Sequence, residues 1–149
     1  MIILLVIIDQ LLKLYISNIK PNFDVIGSFL RIHYTQNTGT IFGLFENSNL
    51  FFIVLAVALC VIIALYVKKN VKRKSLQEKG FMLILAGGIG NLIDRIFRGF
   101  VVDFISLKWV GIFNFADMCI VIGVGLIIIF ELMESLKNGK ASKKSDFNV

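Results

Sequence analysis

Two aspartates in the second half of the chain have the properties of an acid–base pair. Asp103 lies in Val101–Phe104, Asp117 closes the segment Phe113–Asp117, and neither has a basic residue within four positions. Two neighbouring carboxyl groups in a site of low dielectric cannot both ionise, so the pKa of one rises and a proton is shared. One carboxylate can then deprotonate water while its partner protonates a peptide carbonyl. The pattern predicts peptide hydrolysis of the aspartyl type, without a nucleophilic serine or cysteine.

Further ionisable residues occur at helical spacing. Asp9 and Lys13 are four residues apart, whereas Asn91, Asp94 and Arg95 follow an i, i+3, i+4 pattern that places them on one helix face. Two interpretations remain open. In one, Asp9 pairs with Lys13 and Asp94 pairs with Arg95 only to neutralise charge inside an apolar protein; in the other, the same residues surround a reactive site.

The other residues that could form a site predict neither a metal centre nor a phosphate-binding loop. The only histidine, His33, lies in an alternating segment without metal-ligand spacing and without a motif that identifies a partner serine. The glycine-rich stretch Ala86–Gly90 is not followed by Lys-Ser/Thr, as a phosphate-binding loop would be. Cys60 and Cys119 occupy separate apolar segments, where free cysteines usually serve as packing residues.

The elements that position these residues are predicted to be membrane-spanning helices. The chain has 149 residues, 57% of them hydrophobic, and a mean hydropathy of +0.84, which favours lipid as its solvent. We predict an all-α integral membrane protein in which a four-helix domain occupies residues 1–134, with helices at about 1–19, 50–67, 80–97 and 112–133. The first span resembles a secretory signal peptide, but it lacks a basic start and a small-residue cleavage site, so we expect it to be retained.

The basic residues indicate the orientation of these helices. The formal charge of +6 comes from residues that flank apolar spans, and we therefore expect no binding of nucleic acid. Ten basic residues lie between the second and third spans and after the fourth, against four in the two other predicted loops, residues 20–49 and 98–109. The positive-inside rule then predicts both termini in the cytoplasm, and Asp103 and Asp117 near the outer face.

Two segments outside the helices have distinct patterns. Residues 29–34 alternate between polar and apolar positions, which predicts a small β-like segment at the outer membrane interface. Residues 135–149 form a basic cytoplasmic tail with little apolar content, which we expect to be disordered. Asn37 and Gly39 lie in Asn37–Phe42, just before the second helix, a pattern that by itself predicts only a turn.

Taken together, the motifs resemble those of the lipoprotein signal peptidases, the type II signal peptidase family of bacterial membranes. Five segments match in family order and spacing, namely Asp9–Lys13, Asn37–Gly39 with Phe42, Gly87–Arg95, Val101–Phe104 and Phe113–Asp117. Ile41 and Met118 depart from the pattern, because the family commonly has small residues at these positions.

The resemblance implies an endopeptidase of the bacterial cytoplasmic membrane that cuts diacylglyceryl-modified prolipoproteins before the lipidated cysteine. Asp103 and Asp117 would be catalytic, and no metal or organic cofactor would be required. The partners would be lipid-modified prolipoproteins and membrane lipids; a monomer is compatible with the sequence, which leaves the oligomeric state open. Supporting or substrate-binding roles would fall to Asp9, Lys13, Asn37, Gly39, Asn91, Asp94, Arg95 and Asn114.

Two other classes of protein compete with this interpretation. A small four-helix transporter would use intramembrane carboxylates to carry protons or bind cations, and a scaffold would use them only to hold helices together. A transporter should place charges along a path, whereas here they cluster towards one end of the helices, and the two halves of the chain show no internal repeat.

Overall fold

The computed structural model describes residues 1–39, 49–73 and 75–145, with side chains as far as residue 138. Its four helices are α1 (Ile2–Ile19), α2 (Asn49–Asn70), α3 (Leu76–Phe97) and α4 (Phe115–Ser145). Each contains a stretch that is long and apolar enough to cross a membrane. The predicted four-helix membrane fold is therefore confirmed, whereas Ile41 and Phe42 of the first turn motif lie outside the described residues.

Close packing of α3 against α4 depends on glycine. A Cβ atom at Gly80 would lie 2.7 Å from the carbonyl oxygen of Gly123, and one at Gly87 would overlap the carbonyl oxygen of Ala116. Lipid provides no hydrophobic driving force between helices, so small residues that let two backbones touch are a main source of contact energy. By contrast, α2 is apolar on all sides and has no buried residue. The α3–α4 pair is thus the most closely packed of these helix contacts.

A methyl group at Gly87 is expected to separate these two helices. Gly87→Ala should lower the stability by roughly 1–3 kcal/mol, because the new Cβ meets Ala116 and Ile120. The matched control is Gly125→Ala on α4, where a Cβ has no neighbour within 4 Å. Thermal unfolding of both variants in detergent measures the difference, and equal melting temperatures would contradict this account of the packing.

A four-stranded antiparallel sheet lies at one end of the bundle. Strands β1 (Asn22–Ile26) and β2 (Leu30–Asn37) follow α1, strands β3 (Val101–Leu107) and β4 (Gly111–Phe113) follow α3, and the order is β1-β2-β3-β4. The predicted β-like segment is confirmed as part of β2, but the sheet is larger than expected because residues 98–109, predicted as a loop, supply β3. Its buried apolar cluster joins Val102 and Phe104 of β3 to Ile16 of α1.

Several helix ends differ from the prediction. The third helix begins at Leu76 rather than residue 80, because the Ser75 hydroxyl oxygen accepts a hydrogen bond from the backbone N–H of Glu78 at 3.0 Å and caps the helix. The second continues to Asn70. The fourth begins at Phe115 instead of residue 112, since residues 111–113 pair with β3.

The fourth helix also ends later than predicted. It extends to Ser145, so the segment from residue 135, expected to be disordered, continues the helix for most of its length. The local propensity of this segment explains the difference, since its four lysines, Leu136 and Ala141 are good helix formers even when they have no core to pack against. Residues 146–149 lie outside the described residues.

Candidate active site

Asp103 and Asp117 approach each other across the junction of the sheet and α4. Asp103 lies on β3, and Asp117 is in the first turn of α4 because this helix begins at Phe115; the predicted start at residue 112 would place Asp117 more than one turn into the helix. Asn114, which is completely buried, contacts both. Its Nδ2 donates to Asp103 Oδ1 at 2.6 Å, and its backbone N–H donates to Asp117 Oδ2 at 3.1 Å. A single residue therefore holds the two carboxyl groups in one site.

Asp117 owes its orientation to the start of α4. Asn114 caps the helix, and its Oδ1 accepts from the backbone N–H of Asp117 at 3.0 Å while Asp117 Oδ2 accepts in return. This reciprocal arrangement is a capping box with an aspartate as its third residue. The amino-terminal end of a helix also carries a partial positive charge that stabilises a carboxylate.

Two further asparagines complete the hydrogen bonding of the pair. Asn91 Nδ2 donates to Asp117 Oδ1, and Asn37 Nδ2 donates to Asp103 Oδ2, both at 2.8 Å. Asn37 Oδ1 in turn accepts from the backbone N–H of Gly39 at 2.9 Å. Gly39 has a φ of 85°, which disfavours other residues, and a Cβ there would force the Phe52 ring to move. The end of β2 thus positions a donor for Asp103.

A buried cation lies behind the asparagines. Lys13 Nζ is 2.9 Å from Asp9 Oδ2 and 3.1 Å from Asp94 Oδ2, and it donates to Asn91 Oδ1 at 2.9 Å. Lys13, Asp9 and Asp94 are all 0% exposed. Because Lys13 occupies Asn91 Oδ1, the amide group of Asn91 is oriented with its Nδ2 towards Asp117.

The same cluster holds the backbone immediately before each candidate catalytic residue. Asp94 Oδ2 accepts from the backbone N–H of Val102, and Asp9 Oδ1 accepts from that of Ala116, both at 3.0 Å. Val102 precedes Asp103, and Ala116 precedes Asp117. Asp9 and Asp94, joined by Lys13, therefore fix the relative position of the two segments that carry the pair.

Arg95 is placed differently from its predicted pairing with Asp94. Its guanidinium carbon lies 4.8 Å from the centre of the Phe52 ring, and its backbone carbonyl accepts from Asn49 Nδ2 at 2.8 Å. Besides Lys13, the ion-pair partner of Asp94 is Arg98, with Nη1 3.2 Å from Asp94 Oδ1. The prediction overlooked Arg98, although its i+4 spacing from Asp94 was a readable signal.

Burial changes the acidity of Asp103. The pKa of its carboxyl is raised above the usual 3.8, chiefly because burial disfavours the charged form. Hydrogen bonds from Asn37 and Asn114 oppose this effect, the negative charge of Asp117 reinforces it, and the positive charge of Lys13 opposes it. Asp103 therefore keeps its proton up to a higher pH than an exposed aspartate does.

The raised pKa predicts a specific pH dependence of stability. The folded protein binds the Asp103 proton more tightly than the unfolded chain, so this proton stabilises the fold. The stabilisation is complete below the ordinary aspartate pKa and is lost as the pH rises through the raised pKa of the folded state. From about pH 4 to about pH 7, the melting temperature of the wild type should fall relative to that of Asp103→Asn. Thermal unfolding across this range in detergent measures the slope; parallel curves for the two proteins would contradict the assignment.

Two cavities flank the pair. A largely apolar cavity of about 500 Å³ is bordered by Ile112, Asp117, Met118 and Val121, and a more polar one of about 330 Å³ by Asn37, Asp103 and Ile112. Beside the first, Trp109 and Val110 are 86% and 74% exposed. Each aspartate therefore borders an open space, one apolar and one polar. Among the described residues, no three His, Cys, Asp or Glu side chains are grouped so that they could hold a metal ion.

Four apolar helices define a multi-pass membrane protein, and they bring together two carboxyl groups, that of the buried Asp103 and that of the partly exposed Asp117. The family model described as signal peptidase (SPase) II matches residues 1–133, and the chain belongs to this peptidase family. The lipoprotein signal peptidase of Fusobacterium nucleatum is 41% identical over 133 residues, which cover 85% of this chain and 81% of that protein. That of Borrelia hermsii is 37% identical over 155 residues, with 92% and 90% covered.

A solved structure supports the same conclusion about the fold. It is described as a bacterial membrane enzyme, shares 33% sequence identity with this chain, and superposes with a TM-score of 0.79 over 88% of this chain and 89% of its own. The resemblance seen in the sequence motifs is thereby confirmed, and nothing in these comparisons supports the alternative of a transporter.

Proposed function

We propose that this chain is an intramembrane aspartyl endopeptidase that removes the signal peptide from diacylglyceryl-modified prolipoproteins, cutting before the lipidated cysteine. The observation that carries the proposal is the pairing of Asp103 with Asp117 through Asn114 in a chain of the signal peptidase II family. Relatives named lipoprotein signal peptidase, similar over most of their length, support this class of substrate.

The two carboxyl groups have different roles in the proposed reaction. Asp117, at the amino-terminal end of a helix, takes a proton from water as the water oxygen attacks the scissile carbonyl. Asp103, protonated because it is buried, donates its proton to the carbonyl oxygen. When the tetrahedral intermediate collapses, the proton held by Asp117 passes to the leaving amine and the hydroxyl proton returns to Asp103. Both residues are then ready for another turnover without a covalent intermediate.

The residues around the pair serve as positioning groups in this scheme. Asn37, Asn91 and Asn114 donate to the carboxyl oxygens and restrict their rotation. Asp9 and Asp94 hold the backbone before each aspartate, and Lys13 neutralises them. Arg95, on the same helix face as Asn91, adds positive charge near Asp103, Asp117 and Asp94. Such support matters because errors of about 1 Å in a reacting group can reduce turnover a hundredfold.

The surroundings of the site suit a substrate that already lies in lipid. The cavity beside Asp117 is bordered by apolar residues of the β4 strand and α4, with Met118 where the family commonly has a small residue. A signal helix and acyl chains can reach such a cavity laterally, without leaving the bilayer. A water-poor environment also strengthens the hydrogen bonds that form as charge develops.

The proposed enzyme lies in the bacterial cytoplasmic membrane with both termini in the cytoplasm and the sheet at the outer face. The turn between α2 and α3 is rich in lysine and arginine, whereas the segments that form the sheet contain few basic residues. The positive-inside rule supports this orientation. Residues 40–48, part of the outer segment before α2, lie outside the described residues.

Cleavage of a defined substrate tests the proposal. Purified protein in detergent is incubated with a diacylglyceryl-modified prolipoprotein, and the product is identified by mass spectrometry. The expected product begins at the lipidated cysteine. The control substrate carries serine in place of that cysteine and should not be cut; cleavage of both substrates at equal rates, or of neither, would overturn the proposed specificity.

A further inference from the structure

A further cavity, separate from the two beside the aspartates, lies at the end of the bundle opposite the sheet. Its volume is about 470 Å³, and it is bordered by the turn between α2 and α3 and by the far part of α4. Its lining is mixed, with charged residues and apolar ones in about equal number. None of these residues belongs to the candidate active site, so the cavity needs its own explanation.

Polar and apolar groups are segregated along the cavity. On α4, Phe130, Met133, Glu134 and Lys137 follow the i, i+3, i+4, i+7 pattern of a single helix face. From Phe130 to Lys137 the helix rises about 10 Å, so Phe130 and Met133 lie nearer the membrane centre and Lys137 lies at the end of the span. An amphipathic ligand with an apolar part and a polar end matches this gradient.

Positive charge dominates the polar end. Lys72, Arg73 and Lys137 line it together with one carboxylate, Glu134. Lys137 Nζ and Glu134 Oε1 are 3.1 Å apart, but both side chains are solvent-exposed, so this pair is weak and does not remove Lys137 from other partners. Among the residues that the structure describes, neither Lys72 nor Arg73 lies within ion-pair distance of a carboxylate.

We propose that this cavity binds one anionic phospholipid. The phosphate lies between Lys72, Arg73 and Lys137, and an acyl chain lies against Leu76, Phe130 and Met133. A basic pocket between helices at a membrane surface suits a lipid headgroup, because cations attract the anionic leaflet and the neighbouring apolar wall accepts the chain. A bound lipid would join the α2–α3 turn to α4. This site is independent of the proposed peptidase activity.

Native mass spectrometry of the purified full-length protein tests the site. Phosphatidylglycerol or phosphatidylcholine with identical acyl chains is added in a neutral detergent, and the fraction of protein with one bound lipid is measured. The wild type should retain phosphatidylglycerol at lower concentration than phosphatidylcholine. Lys72→Gln/Arg73→Gln should weaken phosphatidylglycerol binding about tenfold or more and leave phosphatidylcholine binding unchanged.

Two controls distinguish the cavity from a diffuse basic surface. Lys68→Gln/Lys69→Gln removes the same charge from the last turn of α2, outside the cavity, and should leave binding within about twofold of the wild type. Glu134→Gln removes the opposing charge and should strengthen binding. An equal loss in the Lys68/Lys69 variant would overturn the proposal.

A further variant tests the apolar wall without any change of charge. Met133→Trp should fill the space beside the apolar wall and reduce phosphatidylglycerol binding. Inorganic phosphate, even in excess, should compete only weakly with the lipid. Displacement of the lipid by inorganic phosphate at comparable concentration would show a simple anion site and refute the lipid assignment. The melting temperature of each variant in the same detergent, compared with that of the wild type, confirms that the protein is folded.

Discussion

Asp103→Asn and Asp117→Asn are each expected to reduce the kcat for prolipoprotein cleavage by roughly 10²- to 10⁴-fold. In the proposed mechanism each carboxyl group transfers protons twice per turnover, and an amide can replace neither role. The geometry also predicts that the two losses are not independent of each other. Since the residues act as one unit through Asn114, the double variant should be no worse than about tenfold below the poorer single variant.

Asp24→Asn is a matched control for this experiment. Asp24 lies on β1 of the same sheet, and its carboxylate is exposed and paired with Arg31. This substitution makes the same chemical change away from the site and should leave kcat near the wild-type value. A well-folded Asp103 or Asp117 variant that retains wild-type turnover would refute the aspartyl mechanism, and multiplicative losses in the double variant would refute the idea of a single unit.

Lys13→Met is expected to cause the largest loss of stability of any single substitution discussed for this protein. The change leaves Asp9 and Asp94 buried without their shared cation, and removing one partner from a buried ion pair typically costs about 3–5 kcal/mol. The effect should be large because all three side chains are inaccessible to water. The measurement is the free energy of unfolding, or the melting temperature, in a mild detergent.

Arg31→Met provides the contrasting case. The Arg31 Nε to Asp24 Oδ1 distance of 2.6 Å is shorter than either contact of Lys13, yet these side chains are 48% and 53% exposed. Solvent screens exposed pairs, so the loss should stay below about 1 kcal/mol. If the two substitutions destabilised the protein equally, burial would not be what makes the Lys13 cluster important.

The membrane helices were predictable because their signal is long and simple. Runs of about 20 apolar residues have few alternative structures in lipid, so α1 and α2 were placed within a few residues of their observed ends. The starts of α3 and α4, which are capped by Ser75 and Asn114, were harder to predict. Each depends on one side chain that caps the backbone, and a capping residue cannot be distinguished from an ordinary polar residue until its partner is known.

The sheet was only partly predictable. Residues 29–34 alternate in polarity, which is the signature of a half-buried strand, and they were recognised. Val101–Phe104 on β3 is buried at every position, so it has no alternation and its strand character is not visible in the sequence. The prediction therefore placed Asp103 near the right end of the bundle but in a loop instead of a strand.

In the candidate site, residue types could be predicted but their connections could not. The isolation of Asp103 and Asp117 from basic neighbours indicated a pair, and the i+4 spacing indicated the contact between Asp9 and Lys13. The bonds from Asp94 to the Val102 backbone and from Asp9 to the Ala116 backbone join residues 8 and 107 positions apart. Backbone N–H groups are identical at every non-proline residue, so no sequence pattern identifies which one a distant carboxylate will bind.

The bonds from Asp9 and Asp94 have a consequence for the biosynthesis of the protein. The site requires three parts of the chain: the Asp9 carboxylate of α1, the Asp94 carboxylate of α3, and the first turn of α4. It therefore cannot form before α4 has left the ribosome. A chain that lacks its last helix has no Asp117 beside Asp103, so under the proposed mechanism it cannot cleave proteins inserted beside it. In the proposed enzyme, insertion of the last helix is therefore the step that completes the site.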